Sequence, residues 1–188
     1  MRIRHADAER DAGACAEIYA PFVRDTIISF EEEPPSEAEM ARRIAGTSSS
    51  YPWVVAEVDA AEARIDPAVA GYAYASQHRQ RAAYRWAADV AVYVHPAHQR
   101  RGVARALYGA LLELLARQGI QVACAGITLP NEASVRLHEA LGFEAVGVYR
   151  RIGWKAGAWR DVGWWQRELT DPRDEPPREV SPPARLEG

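Results

Sequence analysis

Apolar residues along this chain change between a helical and a strand period, and the changes divide it into successive elements. Ile3 and its neighbours predict a short first strand. Asp7 is then a suitable N-cap for a helix whose apolar residues Cys15, Ile18, Tyr19, Phe22 and Val23 share one face. Ser36-Glu-Ala-Glu39 has capping-box spacing, and Met40, Ala41 and Ile44 supply a second amphipathic stripe that Gly46 is expected to stop. Trp53–Val58 and Val69–Ala75 read as two strands of an antiparallel hairpin, joined by a turn from Ala60 to Pro67.

Ala87–Val94 is nearly apolar throughout, the pattern of a central strand buried on both faces. From Val103 the residues Leu107, Ala110, Leu111, Leu114 and Leu115 recur at helical spacing, and Gly119 is placed to end the helix in a left-handed conformation. A strand over Ile120–Ile127 completes a β-α-β unit. A helix over Glu132–Leu141 should end at Gly142, and strands over Val146–Ile152 and Val162–Leu169, joined across Gly153–Arg160, close the domain. The pattern stops at Thr170. The charged, proline-rich remainder cannot form a packed element, so we expect one domain over residues 1–169 and an extended or disordered tail over 170–188.

Composition narrows the function classes. At 188 residues and 48% hydrophobic, the chain can bury one good core but hardly two. A net charge of -3 gives no reason to expect nucleic acid as a partner. Cys15 and Cys124 are far apart in apolar contexts and read as reduced core residues. The N-terminal segment lacks the apolar stretch of a signal peptide and no run is long enough to span a bilayer, which predicts a cytoplasmic protein without a membrane partner.

One stretch does suggest a ligand. Gln99-Arg-Arg-Gly-Val-Ala104 lies between the Ala87–Val94 strand and the next helix, where free amides, a positive helix end and guanidinium groups favour an anion. The small residues Gly102 and Ala104 would let a diphosphate approach the backbone. The glycine and lysine spacing of a phosphate-binding P-loop is absent, as is that of a dinucleotide fold. His95 and His98 have His-x-x-His spacing, but Pro96 lies between them and no third ligand follows, so we read a loop and expect no metal.

Four segments in order, Tyr51-Pro-Trp-Val-Val-Ala-Glu57, Tyr93-Val-His-Pro-Ala-His-Gln-Arg-Arg-Gly102, Leu129-Pro-Asn-Glu-Ala-Ser-Val-Arg-Leu-His-Glu-Ala-Leu-Gly-Phe143 and Gly157-Ala-Trp-Arg-Asp-Val-Gly-Trp-Trp-Gln166, resemble the GNAT superfamily of acetyl-CoA-dependent N-acetyltransferases. Within it they resemble the phosphinothricin acetyltransferase branch. The resemblance spans roughly residues 2 to 169. It implies an α/β (α+β) fold whose central mixed, mostly antiparallel sheet is flanked by helices and splayed at the cofactor site. It also implies acetyl transfer from acetyl-CoA to the amine of a small amino acid or analogue. By position, the backbone of Val92, Tyr93 and Val94 should pair with the pantetheine arm, as an added strand would. Gln99, Arg100, Arg101, Gly102, Val103, Ala104 and Arg105 should hold the pyrophosphate, and Asn131 should contact the cofactor near its acetyl end. The Lys155–Trp165 region resembles one that lies near a dimer partner, and its tryptophans Trp159, Trp164 and Trp165 suggest a homodimer.

The attacking amine must lose a proton, which calls for a base. Asp89 stands where the resembled family carries a glutamate; one methylene shorter, it would act directly or through a water, unless it is a structural ion pair with an arginine such as Arg85. His138 stands where the phosphinothricin branch has histidine and takes acid, base or substrate-orienting duty, or is a satisfied helix residue. Arg79 and Arg81 could hold a substrate carboxylate, and Phe30 could wall the pocket. Transfer to another amine, or acetyl-CoA binding without catalysis should Asp89 be no base, are the competing readings.

Overall fold

The structure is a computed structural model that describes residues 1–58, 69–171, 175, 177–184 and 186. The element order is β1 (Arg2–His5), α1 (Ala8–Arg24), α2 (Glu37–Ser48), β2 (Trp53–Glu57), β3 (Val69–Gln77), β4 (Ala87–Val94), α3 (Val103–Gln118), β5 (Val122–Leu129), α4 (Glu132–Ala140), β6 (Glu144–Lys155) and β7 (Ala158–Glu168). The strands form one seven-stranded sheet in the order β1-β2-β3-β4-β5-β7-β6. Its pairings are antiparallel except that of β4 with β5, which is parallel.

Each face of the sheet buries the apolar stripe of different helices. On one face Leu107, Leu111, Leu114 and Leu115 of α3 pack over Val54, Ala73, Val90 and Ala125. On the other, Cys15, Ile18 and Val23 of α1 and Met40 and Ile44 of α2 pack over Trp53, Val55 and Tyr72. The side-chain caps lie where residue types predict. Asp7 accepts from the amides of Glu9 and Arg10, and Ser36 accepts from that of Glu39. Helix α3 ends on Gly119 at φ 104°, the left-handed terminus expected of it.

Several expectations need correction. Helix α2 runs past Gly46 to Ser48, because Gly46 keeps an ordinary φ and Ser49 Oγ donates to its carbonyl. Strand β5 starts and ends two residues later than read from the sequence. Strands β6 and β7 extend through the segment read as their connection and turn at Ala156-Gly157, both at positive φ, with register shifts between Ala145 and Gly147 and between Tyr149 and Gly153. Strand β4 is central but not buried on both faces: Val90 and Val94 are buried, whereas Asp89, Ala91 and Tyr93 on the other face are only half-covered. The Ala60–Pro67 turn lies outside the described residues.

Residues beyond Thr170 contain no helix or strand among those described, and they lie against the domain. Trp86 Nε1 donates to the Arg178 carbonyl, Ser181 N donates to the Gln118 carbonyl, and Val180 and Leu186 pack on the α3 side of the core. No helix among the described residues is long and apolar enough to cross a membrane.

Candidate active site

The sheet opens between its two central strands. Parallel pairing of β4 with β5 holds for Ala87, Ala88 and Asp89 against Val122, Ala123 and Cys124 and stops there, although β4 continues to Val94 and β5 to Leu129. On its other edge β4 stays in continuous register with β3 as far as Val94, and the His95 amide donates to the Ala70 carbonyl. Backbone groups alternate along a strand, so those of Val90, Val92 and Val94 point the other way, into the gap. Tyr93, expected to contribute its backbone there, instead turns those groups to β3. Its ring sits among Tyr19, Phe22 and Tyr72.

The gap leads to the N-terminus of α3. That helix begins on Gly102 at φ 82° with no side-chain cap, and its first intrahelical amide is that of Ala106, which donates to the Gly102 carbonyl. The amides of Val103, Ala104 and Arg105 therefore have no intrahelical partner. A Cβ built on Gly102 meets nothing within 4 Å, so the space above the helix end is open. Arg100, itself at φ 59°, Arg101 and Arg105 are exposed around it with no acidic residue in the first turn. Gln99 Nε2 reaches the Val94 carbonyl at 3.5 Å and so links the loop to the strand end. Amides, guanidinium groups and an uncompensated helix end make this a place for a phosphate-bearing group.

Deeper in the gap is a cavity of about 80 Å³ bordered by Val92, Ile28, Asn131, Tyr108 and His138. Asn131 caps α4 by accepting from the Ser134 amide. His138 is buried at 3% exposure, and both its nitrogens are engaged: Nδ1 donates to the Ser134 carbonyl at 2.8 Å, and Nε2 accepts from the Tyr108 hydroxyl at 3.0 Å. Burial lowers the pKa of this histidine, against the smaller opposing effect of its Ser134 hydrogen bond, so the ring favours the neutral form. Tyr108 was not singled out from the sequence, because its place on the apolar face of α3 is that of any core aromatic.

Asp89 lies on the α1 and α2 face at the point where the strands part. Its partner is His78, not Arg85: His78 Nδ1 donates to Asp89 Oδ1 at 2.6 Å, whereas Arg85 pairs with Glu179 and stacks 3.9 Å from the Trp86 ring centroid. Desolvation raises the Asp89 pKa, and the His78 hydrogen bond and nearby positive charge act against the rise. Next to this pair a recess of about 390 Å³ is lined by His78, Arg79, Cys124, Tyr149 and Trp164. Arg79 lies over the Trp164 ring at 5.7 Å. Arg81, which precedes a short 3-10 turn, is exposed and borders neither cavity. One donor atom each of His78, Asp89 and Cys124 lies within 4.8 Å of the others, and desolvation pushes the Cys124 thiol up to about 11.

The connection from α1 to α2 closes the open side. Tyr19 holds Ser29 and Glu31, Arg43 holds both oxygens of Glu31, and Lys155 from the tip of β6 donates to the carbonyls of Val23 and Glu31. Phe30 lies against Gly153 so closely that a Cβ there would come within 2.2 Å of its ring. A wider cavity of about 690 Å³ shares Ile28 and Asn131 with the small one and opens between this connection and the tip of the β6–β7 hairpin. The gap thus runs from an uncapped helix end ringed by arginines toward a recess that holds a carboxylate–imidazole pair.

Comparison with known proteins agrees with this geometry. A family model described as an acetyltransferase (GNAT) domain matches residues 3–164. A phosphinothricin N-acetyltransferase of Streptomyces viridochromogenes is 40% identical over 186 residues, covering 99% of this chain and 96% of that one. An L-methionine sulfoximine/L-methionine sulfone acetyltransferase of Salmonella typhimurium is 34% identical over 172 residues, covering 91% and 96%. Among solved structures, a phosphinothricin acetyltransferase from Sinorhizobium meliloti in complex with acetyl-CoA superposes with a TM-score of 0.87 at 37% identity, covering 96% of this chain and 95% of that one.

Proposed function

This chain belongs to the GNAT acetyltransferase family, and from that premise we propose that it moves the acetyl group of acetyl-CoA to the amine of a small amino acid or analogue of the phosphinothricin or methionine sulfoximine type. The observation that carries the reading is the opening between β4 and β5 beside the uncapped helix α3. In this reading Val92 and Val94 pair with the pantetheine amides, and Gln99, Arg100, Arg101, Gly102, Val103, Ala104 and Arg105 surround the pyrophosphate. Asn131 borders the acetyl end. The amine approaches from the Asp89 side, loses a proton there and attacks the thioester carbonyl. An oxygen that gains charge in that step can be met by a strand amide facing the gap, that of Val92 being the best placed.

His138 has a narrower part than its sequence position suggests. With both nitrogens engaged inside the protein, it orients Tyr108 and does not reach for the amine. Arg79, beside the recess, and Phe30, against the hairpin, are the side chains we assign to the substrate, with Arg79 offering paired donors to its carboxylate. Arg81 has a weaker claim, since it borders neither cavity. Thiol release from acetyl-CoA, followed over a panel of amino-acid amines that includes phosphinothricin and methionine sulfoximine, tests the reading. Rapid release with an amino-acid amine supports it, and release only with amines lacking a carboxylate would redirect the substrate assignment.

We place the enzyme in the cytoplasm, where its buried free thiols Cys15 and Cys124 stay reduced, and propose that it works as a homodimer. Val146, Val148, Tyr149 and Ile152 of the edge strand β6, together with Trp154 and Trp159, are each 48% to 61% exposed, more apolar surface than one hairpin ordinarily leaves to water. Trp165, in contrast, is in the core. Light scattering at micromolar concentration should give twice the chain mass, and Ile152→Glu should halve it.

A further inference from the structure

The carboxylate that the family reading makes the base is already engaged. Asp89 faces His78 Nδ1 at 2.6 Å, and the imidazole is fixed on its other sides by edge-on contacts with Trp164 and Tyr84, both with ring centroids at 5.9 Å. Because Nδ1 donates to the carboxylate, Nε2 is the nitrogen with a free lone pair, and no hydrogen bond to it is made among the described residues. The His78 side chain is 16% exposed and lines the 390 Å³ recess on the same sheet face as Asp89 and Cys124. The arrangement has the parts of a base held by an orienter: a carboxylate fixes the tautomer and ring position, and a basic nitrogen points away from it.

We infer that His78 is the group that takes the proton from the substrate amine, with Asp89 as the residue that positions it and stabilises its charged form. The inference rests on the acetyl-transfer reading and deepens it. The resembled family carries a glutamate at position 89, and here the side chain is one methylene shorter; the imidazole supplies the missing reach.

The step balances without another reactant. Nε2 removes one proton from the ammonium group, and the freed lone pair forms the C–N bond at the thioester carbonyl. In the resulting tetrahedral intermediate the nitrogen gives its second proton to water as the C–S bond breaks, and the sulfur leaves as a thiolate that takes a proton back from water. The imidazolium, facing Asp89, returns its proton to water through the recess. The charged and titratable groups around His78 are Asp89 on β4, Arg79 beside it, Cys124 on β5, Tyr84 on the short turn before β4 and Tyr149 on β6.

The test compares His78→Gln, Asp89→Asn and the double variant in the full chain, with acetyl-CoA and phosphinothricin or methionine sulfoximine. Acetyl-CoA affinity by calorimetry reports that each variant is folded. His78→Gln should lower kcat at neutral pH on the order of a hundredfold or more and move the acid limb of the kcat/KM pH profile up toward the pKa of the substrate amine. Asp89→Asn should shift or flatten the same limb, and the double variant should be little worse than His78→Gln, as expected of groups that act together. In His78→Ala, added imidazole should restore part of the turnover. If His78→Gln keeps wild-type kcat and its acid limb while Asp89→Asn loses both, Asp89 is the base and the inference fails, although acetyl transfer stands. If the wild type transfers acetyl to no amine, the acetyl-transfer reading fails, and the inference with it.

Discussion

Replacing Gly102 by glutamate separates cofactor binding from folding, because the two effects have different origins and sizes. Gly102 has φ 82°, where a residue with a Cβ is strained by about 1–2 kcal/mol. A carboxylate at the uncapped N-terminus of α3 recovers about 0.3–1 kcal/mol through the helix dipole. The net loss of about 1 kcal/mol should lower Tm by about 2–4 °C in a domain of this size. Binding is hit harder. A pyrophosphate bonded to the free amides of Val103 to Arg105 would sit about 5 Å from the new carboxylate, and at an effective dielectric of about 20 each pair of unit charges then repels by about 3 kcal/mol. Screening at this exposed position trims that figure, which leaves about a hundredfold weaker acetyl-CoA binding. Gly102→Asn is the control, since asparagine tolerates the left-handed conformation and adds no charge; it should cost less than about tenfold. Calorimetric titration with acetyl-CoA reads the affinity and a melt without ligand reads the stability. A folded Gly102→Glu protein that binds acetyl-CoA like the wild type would refute the placement of the pyrophosphate.

Three further perturbations follow from the described contacts. His138 has a lowered pKa in the folded state, so the unfolded chain binds the extra proton first; its share of stability is present above the unfolded value of about 6.5 and lost as pH falls below it, and His138→Gln should flatten the decline of the urea midpoint between about pH 7 and 5. Arg4 forms a bidentate pair at 2.7 and 2.8 Å with Asp11, which is 1% exposed, so Arg4→Met strands a buried carboxylate and should destabilise the protein by about 3 kcal/mol in chemical denaturation; a change under about 1 kcal/mol would mean that water reaches Asp11. Gly153→Ala drives a methyl group into the Phe30 ring and should raise KM for the amine severalfold while leaving acetyl-CoA affinity unchanged, which steady-state kinetics and calorimetry together decide.

What could be read from the sequence was mostly local. Asp7, Ser36 and Gly119 announce helix ends through their own side-chain or backbone chemistry, and each acts as read. The uncapped start of α3 at Gly102 and the exposed arginines around it could be picked out for the same reason, since small residues and arginines lie within seven consecutive positions. What failed depends on partners distant in the chain or in the sheet. Gly46 looks like a helix stop until Ser49 takes its carbonyl. The apolar run of β4 hides the half-covered face that carries Asp89, because alanine and tyrosine suit either environment. The partner of Asp89 was sought at Arg85, four residues away, yet extended backbone rises about 3.3 Å per residue and carries the two apart, and the contact comes from His78 across the β3–β4 connection. Tyr108 and His138 are 30 residues apart and meet only because α3 and α4 cover the same face of the sheet. The tail looked unable to pack by composition, but its backbone groups find Trp86 and the end of α3.

The central claim, acetyl transfer to an amino-acid amine, is tested most directly by incubating the purified wild-type chain with acetyl-CoA and either phosphinothricin or methionine sulfoximine, and following thiol release together with the mass of the product. The account predicts one thiol released for each amino acid that gains an acetyl group on nitrogen, with rates that rise as the amine loses its proton. Acetyl-CoA bound at the β4–β5 opening with no acetylated product from any amino-acid amine would contradict it.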